Sequence, residues 1–181
     1  MYFRGMTSPH TVPADTPDAD TVLTTLVAFV DALEARVRQD GSGDPLLSPR
    51  GSYTFSETVQ HAAQSIGYSM TGYPRLAPAS LRVTVGRAVK HLFLNRGAMR
   101  HNLSAPVSGA PELDEGMPDL DAIVLLRTTV DRLAAFDGAL HPHPTYGRCS
   151  KEQVANLQTM HLREHLPGVD GPVSPAAALT P

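Results

Sequence analysis

Cysteine is almost missing from this sequence: Cys149 is the only one in 181 residues. No internal disulfide can form, which removes the usual mark of a small secreted scaffold. Stability has to come from packing, with or without a metal. There is also no apolar run near the ~18–20 residues that a membrane-spanning helix needs. The first twenty residues, MYFRGMTSPHTVPADTPDAD, lack the apolar core of a secretion signal. No membrane association is expected, and the cytoplasm is the expected location. No strand-like alternation of useful length occurs, so a sheet is not expected. Lysine is scarce, two against thirteen arginines, a bias that reads as genome composition rather than chemistry.

Acidic residues are absent between Glu57 and Glu112, while the same stretch holds Arg75, Arg82, Arg87, Lys90, Arg96 and Arg100. Two readings stand side by side. One is a positive surface for an anionic substrate or partner, and the other a basic helix that pairs with acidic neighbours after folding. Nucleic-acid binding is not expected, because neither a reading motif nor an aromatic stacking platform accompanies the charge.

Hydrophobic residues make up 41% and charged residues 18%, the balance of a globular chain that buries a core, and the length suits one domain. Residues 1–19 and 168–181 are rich in Pro, Thr, Asp and Ala without an apolar period, and both read as mobile tails around a folded part at 20–167. Val22, Leu23, Leu26, Val27, Val30, Leu33 and Val37 have helical spacing and end at Asp40-Gly41-Ser42-Gly43. A second helix starts at the capping box Thr54-x-x-Glu57 and runs to about Met70. Leu81, Val85, Val89, Leu92 and Phe93 mark a shorter amphipathic helix, read as an insert, that ends near Asn95-Arg96-Gly97. After the connection SAPVSGAPELDEGMP, Asp119 is the expected N-cap of a helix carrying Leu120, Ile123, Val124, Leu126, Val130, Leu133 and Phe136. A capping box at Ser150-x-x-Gln153 opens the last helix, closed by Pro167-Gly168. The expected fold is all-α, a four-helix bundle with an extra short helix between its second and third bundle helices.

The last helix carries Val154, Leu157, His161 and His165 at offsets of three, four and four. The apolar stripe therefore runs into a histidine pair ~6 Å apart on one face, aimed at the interior. On the second helix His61, Gln64, Ser65 and Tyr68 form a polar stripe beside an apolar one of Val59, Ala62, Ala63, Ile66 and Met70. Such a stripe is costly to bury unless its members find partners, and a cavity holding a metal would supply them. Three neutral imidazoles from two facing helices suit a catalytic divalent ion, with zinc or nickel favoured. On spacing alone, packing histidines remain the competing reading. His10 lies in a tail, and His91, His101, His141 and His143 are read as ordinary surface or loop residues, with His143 near the mouth of the site.

The segments HAAQSIGYSMTGYP (61–74), TVGRAVKHLFLNRGAM (84–99), HPTYGRCSKEQ (143–153) and MHLREHL (160–166) together resemble the DinB-like (DinB/YfiT-like) metalloenzymes. Within them the chain is most similar to a branch long catalogued as a domain of unknown function. The resemblance covers roughly 50–167. It implies a four-helix bundle holding a divalent metal through three histidines, which map onto His61, His161 and His165. Better-studied relatives include S-transferases and an isomerase that use small thiols, so a low-molecular-weight thiol is an expected partner. A homodimer formed through the helices is likewise implied. Glu164 stands where relatives often carry a second histidine or polar residue.

With an ion bound there, two chemistries follow. A divalent cation makes a bound thiol a thiolate at neutral pH, or lowers the pKa of water from ~15.7 toward ~7 for hydrolysis. Tyr68 and Tyr146 are the candidate hydrogen-bond or proton donors and Gln64 the candidate for orienting substrate. Glu164 is expected to be an exposed helix residue and Cys149 an inert small side chain. The competing class is a binding or sequestering protein that keeps the cavity and performs no chemistry.

Overall fold

The structure is a computed structural model that describes residues 19–41, 43 and 47–169, with side chains from residue 23 onward except that of Asp40. Most of both expected tails lies outside the described residues. Among those described, the architecture is all-helical: α1 (Ala19–Asp40), α2 (Phe55–Thr71), α3 (Ala79–Val83), α4 (Val85–Arg96), α5 (Asp119–Ala135) and α6 (Lys151–His165). No strand occurs among them, and one isolated antiparallel bridge joins His143 to Gly147. Among the described residues no helix is long and apolar enough to cross a membrane.

The four long helices enclose the core, α2 and α1 each packing on both α5 and α6. Leu26, Phe29, Val30 and Leu33 of α1 meet Val59 and Ile66 of α2, Ile123, Leu126 and Leu133 of α5, and Leu162 of α6. Each such side chain stabilises the fold by ~1.5–3 kcal/mol when removed from water. Leu166 and Val169 are buried as well, so packing continues beyond the boundary expected at 167.

Local chemistry sets the ends of the helices that carry the site. At the start of α2 the Glu57 amide donates to Thr54 Oγ1 at 3.2 Å and the Thr54 amide to Glu57 Oε2 at 2.7 Å. Ser150 and Gln153 close the same reciprocal box on α6. α2 ends at Gly72, whose φ of 98° favours glycine and whose amide donates to the Tyr68 carbonyl. The expected Asp119 cap is shifted by one residue. Pro118 occupies the cap position without a side-chain bond, and Asp119 and Asp121 sit in the first turn of α5, where negative charge suits the helix dipole.

The insert departs most from expectation. It is two helices broken at Thr84, and Leu81, Val85 and Leu92 are 53%, 61% and 50% exposed. The buried positions on α4 are Gly86 and Lys90. The first part of α4 rests on the backbone of the 143–148 turn, which calls for a missing side chain and a donor, while Phe93 of the expected stripe, with Leu94, packs on the cluster of Met99, Leu157 and Met160. A Cβ on Gly86 would lie 1.9 Å from the Thr145 carbonyl oxygen, and Lys90 Nζ donates to the Arg148 carbonyl. Neither do the basic residues of this region pair with acids. The ion pairs seen among the described residues include Glu34 with Arg38 and Arg127 with Asp31 and Glu34, none of them in this region.

Candidate metal centre

His61 on α2 and His161 and His165 on α6 come together between the two helices, each offering a ring nitrogen within 4.8 Å of the others. Ring centroids are 5.1 Å apart for His61 and His161, 5.8 Å for His61 and His165, and 4.8 Å for His161 and His165. His61 and His165 are buried. His161 is half-buried, yet its Nε2, like that of His165, is shut off from solvent without a hydrogen-bond partner. Two buried ring nitrogens without partners, side by side, are costly in a folded protein.

His165 shows how the orphans arise. Its Nδ1 lies 3.3 Å from the Arg50 carbonyl oxygen, which can only accept, so Nδ1 carries the proton and Nε2 keeps its lone pair. The Arg50 amide returns a bond to the His165 carbonyl at 2.8 Å, clamping the ring from the loop before α2. Burial lowers the pKa of all three imidazoles. That of His61 falls to about 4, helped by the neighbouring His165 and His101, and that of His161 falls well below its ordinary value. His165 is lowered by burial and then by His101. All three are neutral near pH 7, the form that ligates a metal. Orphaned Nε2 atoms, neutral rings and a shared meeting point fit a divalent ion with imidazole preference.

A fourth imidazole, His101, joins them. Its ring lies 4.5 Å from that of His161 and 5.5 Å from that of His165, and its Nε2 is also buried without a partner. Sequence reading set His101 aside as an ordinary histidine near the basic helix. No local signal marks it, because its acidic partner lies sixty-three residues away: Glu164 accepts from Nδ1 at 2.7 Å and from the His101 amide at 3.3 Å. Glu164 is accordingly not the exposed helix glutamate expected, its side chain being 15% accessible.

The cluster opens into a cavity of about 280 Å³ lined by His61, Ser65, Tyr73, His101, His143, Tyr146, Gln158 and His161 together with residues 105–108. His143 stands in it as expected from its position near the mouth. The bridge to Gly147 (φ 71°) curls the HPTYG turn so that the amides of Thr145 and Tyr146 both donate to His143 Nδ1. The Tyr146 ring stacks on that imidazole at 4.4 Å, and burial lowers the His143 pKa to about 4, with the Lys90 charge adding to it. Burial raises the Tyr146 hydroxyl, followed by Glu164 and Cys149. Cys149 is also raised by burial, so its thiol stays protonated near neutral pH.

The polar stripe of α2 is divided. Ser65 lines the cavity, accepting from Gln158 Nε2 at 2.9 Å through its hydroxyl and from the Tyr73 hydroxyl at 2.9 Å through its carbonyl. Gln64 instead faces a neighbouring cavity of about 340 Å³ on another side of His61 and donates to the Pro111 carbonyl at 3.1 Å. Tyr68 does not line the histidine cavity; its ring lies 5.8 Å from that of Tyr73, which does. Ser56 and Gln60 bond the Met117 and Asp114 backbone, so α2 straps the 104–118 connection across the site.

An all-helical chain with a buried, convergent histidine cluster is the class that fold and site define. A family model described as "Protein of unknown function (DUF1569)" matches residues 36–170, and the chain belongs to that family. No curated protein and no solved structure matches it.

Proposed function

We propose that this chain is a metal-dependent enzyme of the DinB-like kind, its four long helices forming a four-helix bundle around a divalent ion, zinc or nickel, held by His61, His161 and His165. The observation that carries the reading is the meeting of three neutral imidazoles whose inward nitrogens, on His161 and His165, have no other partner. His101, fixed by Glu164, stands beside His161 next to this set of three and borders the proposed ion's surroundings. When bound, the ion supplies Lewis acidity that makes a small thiol or a water molecule nucleophilic near neutral pH.

The protein's own residues do the rest. Tyr146, stacked on His143 within the cavity, is placed to donate a hydrogen bond or proton to charge developing on a substrate. Ser65 and Gln158 fix one wall, and residues 105–108 of the strapped connection form another. Gln64 and Tyr68 are outside this cavity and take no part in the chemistry proposed. The substrate is a small molecule, with a low-molecular-weight thiol as the partner that the sequence resemblance favours, and the homodimer belongs to the same reading.

Cobalt-substituted protein tests it. Adding a small thiol is expected to produce a thiolate-to-metal absorption band that His161→Ala lacks. An unchanged cobalt spectrum with thiol would remove the thiol reading, and failure of the wild type to take up cobalt would remove the metal site itself.

A further inference from the structure

Beside the histidine cavity lies a second one of about 580 Å³, formed between α3, α4, the 142–148 turn and the start of α6. Its lining includes Arg82, Arg87, Lys90, His91 and Arg148, and no aspartate or glutamate. None of these arginines, nor Lys90, is among the ion pairs of the described residues. Arg82 is held in place by one bond, from Nε to the Ala77 carbonyl at 2.9 Å, which uses one of its five N–H donors.

Lys90 is buried, and its ammonium donates to the Arg148 carbonyl and to Gln153 Oε1, both neutral groups. A charge taken out of water without an opposite charge is costly, and a bound anion relieves that cost. Four full positive charges around one hollow exceed what a single carboxylate balances, and guanidinium forks match the oxygens of a phosphate.

The two cavities share a wall. Tyr146 lines both, and Lys90 is close enough for its charge to depress His143 on the other side. We infer that the basic cavity is the docking site for a doubly charged oxyanion, a phosphate group in the first instance, carried by a small-molecule substrate whose reacting end passes Tyr146 to the histidine cluster. The link to a substrate rests on the metal-enzyme reading above; the anion site itself does not.

The test titrates inorganic phosphate into the full chain by calorimetry at low ionic strength. Saturable binding is expected in the wild type. Arg87→Gln with Arg148→Gln, both at exposed positions, is expected to weaken it by about tenfold or more. Arg75→Gln with Arg96→Gln removes the same charge from outside the cavity and is expected to change binding by less than about twofold. His161→Ala is expected to keep phosphate binding while losing metal, so the two readings fail separately. The inference is overturned if wild type shows no saturable binding, if both double variants weaken phosphate equally, or if His161→Ala abolishes it, since phosphate would then be sitting on the metal.

Discussion

Glu164 Oε2 lies 2.7 Å from Nδ1 of His101, joining the last helix to the loop that follows α4. A carboxylate can only accept, so in the neutral ring the contact fixes the His101 tautomer, with the proton on Nδ1 and the lone pair on Nε2 beside His161. Glu164→Gln can present its NH₂ instead and release that tautomer. Metal affinity, measured by competition with a chelator, is expected to fall by about 10–100-fold with helix content unchanged. Wild-type affinity in Glu164→Gln would exclude His101 from the metal's surroundings.

The depressed histidines set a pH window. His61 and His143 titrate near 4 in the folded protein against about 6.5 in an unfolded chain. Between those values the unfolded state binds more protons, so stability is complete above about 6.5 and declines as pH falls toward 4. Melting temperatures of metal-stripped protein across this range are expected to drop with acidification. Bound metal, which requires the neutral rings, is expected to leave over the same interval. A flat profile between 6.5 and 4 would contradict the burial of these rings.

Two glycines give opposite expectations. Gly86→Ala drives a methyl group into the Thr145 carbonyl, 1.9 Å from the ideal Cβ position, and is expected to destabilise by roughly 1–3 kcal/mol while displacing the turn that holds His143. Gly67, inside α2, meets nothing nearer than Thr129 Cγ2 at 3.9 Å. Gly67→Ala is expected to stabilise by about 0.5–1 kcal/mol. Thermal unfolding of the two variants checks both signs.

What could be read from the sequence followed local rules. The Thr54–Glu57 and Ser150–Gln153 boxes are complete within four residues and mark the starts of α2 and α6. The offsets that line up Val154, Leu157, His161 and His165 likewise place two rings on one face, and these meet His61 in the structure. Non-local features were invisible. His101 acquires its place from Glu164 across sixty-three residues, and Leu81, Val85 and Leu92 keep a helical period yet face solvent because α4 sits on a polar turn through Gly86 and Lys90. Periodicity names a face; it does not say what the face rests on.

Metal content is the most direct measure of the central claim. Elemental analysis of the purified chain and of its His161→Ala variant is expected to give about one zinc or nickel per chain for the first and little for the second. Metal-free wild-type protein that also fails to bind either ion on addition, or a variant that retains the full complement, would contradict the account.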